Sequence, residues 1–140
     1  MATKRKHINP LDLNSDVAVG LSLPLASPTG GSFQLNYTTL DQAKTNLRNL
    51  LKTNYGERYM QPDFGCGVVD ILFEPNTEEV ELRIKDRINS AINKWLPYIG
   101  IKNLEIIRYE HNIQVDIAFY INNNKWSMES ITLILGQENA

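Results

Sequence analysis

The chain has 140 residues, and its 14 lysines and arginines against 16 aspartates and glutamates give a formal net charge of −2. One cysteine, Cys66, excludes an intramolecular disulfide framework and a four-thiolate zinc site. The near-neutral charge argues against a general nucleic-acid binder, which usually has a strong basic excess. No apolar run approaches the ~20 residues that span a bilayer, and no apolar segment follows the basic start, so we expect neither a membrane anchor nor a signal peptide. Composition therefore favours a soluble intracellular protein with one domain, either a small enzyme or an assembly component.

The first 37 residues differ from the rest of the chain. Between Val17 and Leu25, apolar residues alternate with small or polar ones, and this period of two predicts an extended segment with one apolar face. Pro24 would remove a hydrogen-bond donor from a ladder, so the segment fits a sheet edge or a stretch outside a sheet. No turn is expected to return it as a hairpin, which favours an arm laid on a partner over an arm packed on its own domain. We therefore divide the chain into an extended arm, residues 1–37, and a domain, residues 38–140.

The first predicted helix of the domain starts near residue 39. Thr39 and Gln42 form a capping-box pattern, which satisfies free backbone N–H groups at a helix start. Gly56 is the expected stop, because glycine adopts the left-handed conformation at little cost. Residues 58–67, with Pro62 and two glycines, are expected to form short strands or a tight hairpin. Five apolar residues of the helix fall on one face: Leu40, Ala43, Leu47, Leu50 and Leu51.

The second predicted helix has clearer boundaries. Asn76 and Glu79 form another capping pattern, and acidic residues fill the first turn, where the helix dipole favours negative charge. Pro97 closes the helix, because the residue before a proline is displaced from the helical region. The apolar stripe of this helix consists of Val80, Ile84, Ile88, Ala91, Ile92 and Trp95.

Three strands complete the chain. Residues 102–109 alternate in polarity, residues 113–121 carry apolar side chains at every odd position, and residues 126–135 follow an asparagine-rich turn. Consecutive strands joined by short turns predict an antiparallel meander, and the two amphipathic helices supply a second layer. The predicted fold class is therefore α+β: an antiparallel three-strand C-terminal meander packed on two amphipathic helices, with an extended N-terminal arm.

Metal and nucleophile sites are not expected. His7 and His111 lack partners at metal-ligand spacing. Cys66 lies between Gly65 and Gly67 without an obvious basic neighbour, so a small apolar filler is favoured over a reactive thiol. The same glycines lack the third glycine and the helix lysine of a phosphate-binding loop. We therefore expect no catalytic residue, no cofactor and no metal ligand.

One enzyme hypothesis is kept as the alternative. Glu57, Asp63, Asp70 and Glu74 crowd the middle of the chain, and a glycosidase uses two carboxyl groups ~5–9.5 Å apart, one of them with a raised pKa. A small domain made of a meander and two helices has few residues from which a sugar-binding cleft could form. A non-enzyme is therefore the preferred interpretation, and a small peptidoglycan-cleaving, lysozyme-like enzyme is the alternative.

The middle of the chain resembles a known family. The resemblance is carried by the run Asn54-Tyr55-Gly56-Glu57-Arg58-Tyr59-Met60-Gln61-Pro62-Asp63-Phe64-Gly65, followed by Leu72-Phe73-Glu74. This run is similar to the lysozyme-like baseplate wedge family of contractile phage tails, also called the sheath initiator, which has relatives in type VI secretion baseplates. The family pattern is Gly-[Glu/Ser]-Arg, then hydrophobic-x-Pro-[Asp/Glu]-Phe-Gly, then Leu-Phe-Glu. The likeness extends from residue 40 to residue 135.

The resemblance implies a structural role. It implies a baseplate wedge component that templates sheath polymerisation through strand exchange with the first sheath ring, since the free edges of a meander accept a strand from another chain. The implied partners are other baseplate wedge proteins and the tail sheath protein, with no nucleic acid and no membrane. The implied location is the virion tail baseplate, with the host cytoplasm as the place of assembly, and no cofactor is implied.

Two partner-binding surfaces and one turn motif follow from the resemblance. Family members often carry Glu-Pro-Arg after the second helix, where this chain has Trp95-Leu96-Pro97-Tyr98, so an apolar contact would replace the charged grip on the wedge core bundle. The second surface belongs to the last strand, with Trp126, Ile131, Leu133 and Leu135. In the turn motif, Arg58 is expected to pair with Asp63 or Glu74, and Phe64 is expected to anchor the core. The motif comprises Gly56, Arg58, Pro62, Asp63, Phe64, Gly65, Phe73 and Glu74.

Overall fold

The computed structural model describes residues 13, 16–23, 33–71, 73–75, 77–121 and 128–136. The chain divides into two compact units, Met1–Asn46 and Leu47–Ala140. Within the described ranges, no helix combines the length and the apolar character needed to cross a membrane.

The first unit contains a short antiparallel strand pair. Strand β1 (Gly20–Leu21) lies beside strand β2 (Leu35–Asn36), with Gly20 opposite Asn36. The chain therefore reverses direction between the two strands, and the expectation that no turn returns this segment is wrong. Residues 24–32, which lie between the strands, are outside the described residues. The period of two does produce extended backbone here, and its hydrogen-bonding partner is the same arm.

The amide of Asn36 joins this strand pair to the first turns of helix α1 (Thr39–Lys52). Its buried Nδ2 atom lies within donating distance of the Leu21 carbonyl oxygen at 3.2 Å, Gln42 Oε1 at 3.1 Å and Thr45 Oγ1 at 3.0 Å. A buried polar group costs free energy unless it is hydrogen-bonded, and these acceptors satisfy the NH2 group of the amide.

Helix α1 is capped one residue before the predicted position. The Asp41 N–H group donates to Thr38 Oγ1 at 3.2 Å, and the Thr38 hydroxyl donates back to Asp41 Oδ2 at 2.8 Å. Thr38 is therefore the N-cap, one residue before Thr39, where the capping box was expected. The helix ends at Lys52, short of Gly56. Its buried side chains match the predicted apolar face at Ala43, Leu47, Leu50 and Leu51.

Two further helices lie in the second unit. Helix α2 (Val68–Ile71) was not predicted, and helix α3 (Glu78–Trp95) corresponds to the second predicted helix. The N-cap of α3 is Thr77, whose Oγ1 accepts from the Val80 N–H group at 3.4 Å, whereas the predicted cap, Asn76, lies outside the described residues. Helix α3 ends before Pro97, as predicted. Its buried side chains are Val80, Ile84, Ile88, Ala91 and Ile92.

The C-terminal sheet is an antiparallel meander. Strands β3 (Ile99–Arg108), β4 (Asn112–Ile121) and β5 (Glu129–Gly136) are hydrogen-bonded in the order β3-β4-β5. The α+β fold class is therefore confirmed. One face of the sheet supplies the core with Ile113, Val115, Ile117, Phe119, Ile121, Ile131, Leu133 and Leu135.

The register is regular between β4 and β5 and irregular between β3 and β4. Ile101 pairs with Phe119, and the next partner pair is Asn103 with Ala118, so Lys102 is an extra residue on β3. Such a β-bulge bends a strand and increases its local twist. The two outer strands of the sheet therefore differ in shape.

Candidate functional site

The turn motif forms a closed loop between α1 and α2. The Gly56 N–H group donates to the Pro62 carbonyl oxygen at 2.8 Å, and the Gln61 N–H group donates to the Arg58 carbonyl oxygen at 3.2 Å. Residues 58–67 are turns, so the expectation of short strands or a hairpin is wrong. The left-handed φ of +83° at Gly56 and the missing donor of Pro62 fit a turn better than a ladder.

Gly65 allows the loop to approach the end of α1. Its φ is +123°, a backbone conformation that residues other than glycine rarely adopt. A Cβ atom at this position would overlap the Thr53 carbonyl oxygen, which accepts a hydrogen bond from the Cys66 N–H group at 3.3 Å. The motif therefore requires glycine here for both its backbone angle and its close packing.

Phe64, the expected anchor of the turn motif, contacts helix α3. Its side chain is buried, and the Trp95 ring meets it edge-on with 5.2 Å between ring centroids. The Arg58 guanidinium lies 4.0 Å above the Phe64 ring, and Lys94 Nζ lies 5.0 Å from the Trp95 ring. Alternating cations and aromatic rings therefore hold the loop against the helix by cation–π attraction.

Arg58 does not form the ion pairs that were expected. Glu74 pairs with Arg83, with 2.6 Å between Arg83 Nη1 and Glu74 Oε2. Asp63 approaches Lys94 at 4.0 Å. Among the described residues the guanidinium of Arg58 instead stacks on a ring, because its flat, weakly hydrated surface suits an aromatic face as well as a carboxylate.

Glu74 joins the entrance of α3 to the sheet. Its carboxylate binds Arg83 of α3 in a two-point contact, and its carbonyl oxygen accepts from Arg108 Nη2 of β3 at 3.0 Å. The second Arg108 nitrogen, Nη1, is buried and has no hydrogen-bond partner among the described residues. Phe73, beside Glu74, is exposed.

The described carboxylates do not form a glycosidase pair. Glu57, Asp63 and Asp70 are exposed, and Glu74 is bound by an arginine. A groove of about 420 Å³ beside the loop has Asp63 as its one described acidic residue. Two carboxyl groups facing one substrate, one of them in an apolar environment, are needed for that chemistry. Nor do the described residues contain a cluster of three histidine, cysteine or acidic side chains that could hold a metal ion.

Cys66 is a buried thiol. Its Sγ donates to the Leu51 carbonyl oxygen at 3.3 Å, and burial raises the pKa of the thiol from 9.0 to about 11. A thiol with a raised pKa carries little thiolate at neutral pH and is a poor nucleophile. These properties fit a core residue.

The helix exit, residues 95–98 at the C-terminal end of α3, lies partly in the core and partly at the surface. Leu96 is buried, Trp95 and Tyr98 are partly exposed, and Pro97 is exposed. Three of the four residues expected to bind a partner thus reach the surface, and the Leu96 side chain belongs to the core of the domain itself.

The side chains predicted on the last strand also face the core. Ile131, Leu133 and Leu135 are buried, and Trp126 lies outside the described residues. The outward side chain between two of them, Ile134, is 57% exposed and was missed. Its position in the alternation of β5 is the signal that identifies it.

Comparison with known proteins identifies the family. The chain belongs to the family described as baseplate wedge protein gp25, whose model matches residues 39–125, more than half of the chain. It is 29% identical over 102 residues to baseplate wedge protein gp25 of Enterobacteria phage T4, with 71% of this chain and 77% of that protein covered. The chain is therefore a baseplate wedge component of a contractile phage tail or a related baseplate.

Two solved structures are similar in fold. A Geobacter sulfurreducens protein, provisionally named a tail lysozyme, has a TM-score of 0.64 at 23% identity over 74% of this chain and 96% of that chain. A chain of the anti-feeding prophage baseplate has a TM-score of 0.64 at 25% identity over 75% of this chain and 86% of that chain. Relatives of this fold thus occur in baseplates, and the enzyme-like name of the first belongs to a protein whose low identity supports the fold alone.

Proposed function

We propose that this baseplate component initiates the sheath: strand β5 offers its free edge to a strand of the first sheath ring. The observation that supports this most is the one-sided pairing of β5, which among the described residues is hydrogen-bonded to β4 alone. An edge strand presents unpaired N–H and C=O groups, and an added strand satisfies them while side-chain alternation sets its register. The partner in this proposal is the tail sheath protein.

The second edge of the sheet, strand β3, is less suited to strand addition. The extra residue Lys102 interrupts its register, and bulges and lysines at sheet edges are features that discourage pairing with another chain. Strand β5 pairs with β4 without interruption from Glu129 to Gly136. The regular strand is therefore the better template.

The helix exit is the proposed contact with the other wedge proteins. Trp95, Pro97 and Tyr98 are at least partly exposed there and form an apolar surface, which replaces the charged tripeptide common in the family. Aromatic side chains at such sites contribute large contact areas. Leu96 is excluded from this surface by its burial.

Lysine pairs on the two edge strands test the template. Ser130→Lys with Ile134→Lys changes two exposed positions of β5, and Asn103→Lys with Ile107→Lys changes the positions of β3 that face the same residues of β4. Each variant replaces the wild-type protein in assembling particles, and electron microscopy counts sheathed and unsheathed tubes. We expect baseplates with bare tubes for the β5 pair and normal sheaths for the β3 pair.

The two variants add the same charge on the same face of the sheet, so a general charge effect would act on both. Circular dichroism and thermal melting of each purified chain establish that it is folded. Normal sheaths on the β5 variant, or equal loss of sheath with both, would refute the template.

The proposal includes no catalytic step. The exposure of Glu57, Asp63 and Asp70 and the arginine contact of Glu74 support this, since none has the apolar environment of a general acid. Purified protein is expected to leave no cleared band in a peptidoglycan gel. A cleared band that Glu57→Gln or Glu74→Gln abolishes would favour the hydrolase instead.

A further inference from the structure

The loop of the turn motif exposes two large apolar side chains at its tip. Tyr59 is 96% exposed and Met60 is 87% exposed. Both occupy the centre of a β-turn, because the Gln61 N–H group donates to the Arg58 carbonyl oxygen at 3.2 Å. Turn centres usually carry glycine, proline, asparagine or aspartate, and large apolar residues at such positions have no role in forming the turn. We call these two residues the Tyr59–Met60 tip.

The tip is held in place before any partner arrives. At its base, the Gly56 N–H group donates to the Pro62 carbonyl oxygen at 2.8 Å, and Asn54 Nδ2 donates to Glu57 Oε1 at 3.0 Å. On one side the Arg58 guanidinium stacks on the buried Phe64 ring. A closed loop loses little conformational freedom on binding, which is the cost that most weakens loop-mediated contacts.

We propose that the Tyr59–Met60 tip inserts into an apolar socket of another baseplate protein whose rim carries a carboxylate. Exposed aromatic and methionine side chains are enriched in the centres of protein interfaces, where a pocket on the partner removes them from water. Arg58 indicates that the rim of the socket is acidic. It is the one charged residue of the four-residue turn, and no described carboxylate forms an ion pair with it. An acidic rim complements that positive charge.

This contact uses residues other than those proposed for the β5 edge and the helix exit. It rests on the chain being a baseplate component, but it does not depend on strand exchange with the sheath. The readout is retention of this chain in the baseplate, whereas the readout for the template is the fraction of tubes that carry a sheath. Failure of the tip contact can therefore be distinguished from failure of the sheath template.

Substitution of the tip tests the proposal in assembled particles. Tyr59→Ser with Met60→Ser is expected to lower the amount of this chain in purified baseplates at least tenfold, with an unchanged melting temperature of the isolated chain. Tyr59→Phe with Met60→Leu keeps the apolar bulk and is expected to restore retention. The matched control is Leu82→Gln, which removes another exposed apolar side chain, 61% exposed, from the surface of α3. Its retention is expected to match the wild type within twofold.

A photo-crosslinking benzophenone amino acid in place of Tyr59 identifies the occupant. The expected product joins this chain to another baseplate protein at a peptide with apolar residues beside an aspartate or glutamate. Three results would overturn the proposal: full retention of the serine variant, a cross-link to a second copy of this chain, or binding of the purified chain to phosphatidylcholine–phosphatidylglycerol vesicles that the serine variant abolishes.

Discussion

Replacing Gly65 with alanine should destabilise the domain far more than the same change at Gly56. Both residues have left-handed backbones, with φ of +123° and +83°. At Gly56 a Cβ atom would meet nothing within 4 Å, so the cost is conformational and about 1 kcal/mol. At Gly65 the new Cβ would overlap the Thr53 carbonyl oxygen, which adds roughly 1–3 kcal/mol of packing strain to a conformational cost of similar size. We therefore expect Gly65→Ala to lose about 3 kcal/mol.

Urea unfolding of the full chain, followed by far-UV circular dichroism, measures the difference. With a slope of about 2 kcal/mol per molar urea, the midpoint should fall by about 1.5 M for Gly65→Ala and by about 0.5 M for Gly56→Ala. The second variant is the control for the general effect of removing a glycine. If Gly65→Ala loses no more stability than Gly56→Ala, the close approach of the loop to Thr53 is not what requires glycine.

Two other variants test the buried thiol and the exposed face of the sheet. Because burial raises the pKa of Cys66 from 9.0 to about 11, its contribution to stability is complete below pH 9.0 and is lost as the pH rises through about 11. The free energy of unfolding should therefore fall more steeply over this range in the wild type than in Cys66→Ala, and equal slopes would contradict the assignment. Glu105 lies directly opposite Asp116, so Glu105→Gln should add about 0.2–1 kcal/mol of stability at low salt and less at high salt. A stability gain that is the same at high salt would show that charge repulsion is not its cause.

The long elements of the fold could be predicted because their apolar residues repeat with a clear period. The alternation around Ile117 and the stripe through Ile88 each select one face, and burial of that face determines the element. The two helix caps were each predicted one residue away from the observed cap, because neighbouring residues can serve equally well as the N-cap. Thr38 and Thr39 both have hydroxyl groups, and backbone geometry chooses between them.

The short elements and the contacts of the loop could not be predicted from such patterns. Helix α2 has four residues, too few to show a period, and the β1–β2 pair has two residues on each strand. The charge of Arg58 suggested a carboxylate partner, whereas its stacking on Phe64 depends on a fold that brings ring and guanidinium together. Alternation on the last strand puts Leu133 on one face with Ile131 and Leu135, and this face is buried in the structure, which removes it from the surface that was assigned to partners.

The sequential order of the sheet has a consequence for the timing of assembly. Residues 109–111 separate β3 from β4, and residues 122–128 separate β4 from β5, so every strand pairs with its nearest neighbour along the chain. Pairings between near neighbours close small loops, and domains built from local contacts fold rapidly. In the proposed initiation of the sheath, the edge of β5 should therefore be complete soon after synthesis, before the partner strand of that proposal arrives. The rate of joining would then follow the concentration of the incoming subunit, as in a bimolecular encounter, with no delay set by the folding of this chain.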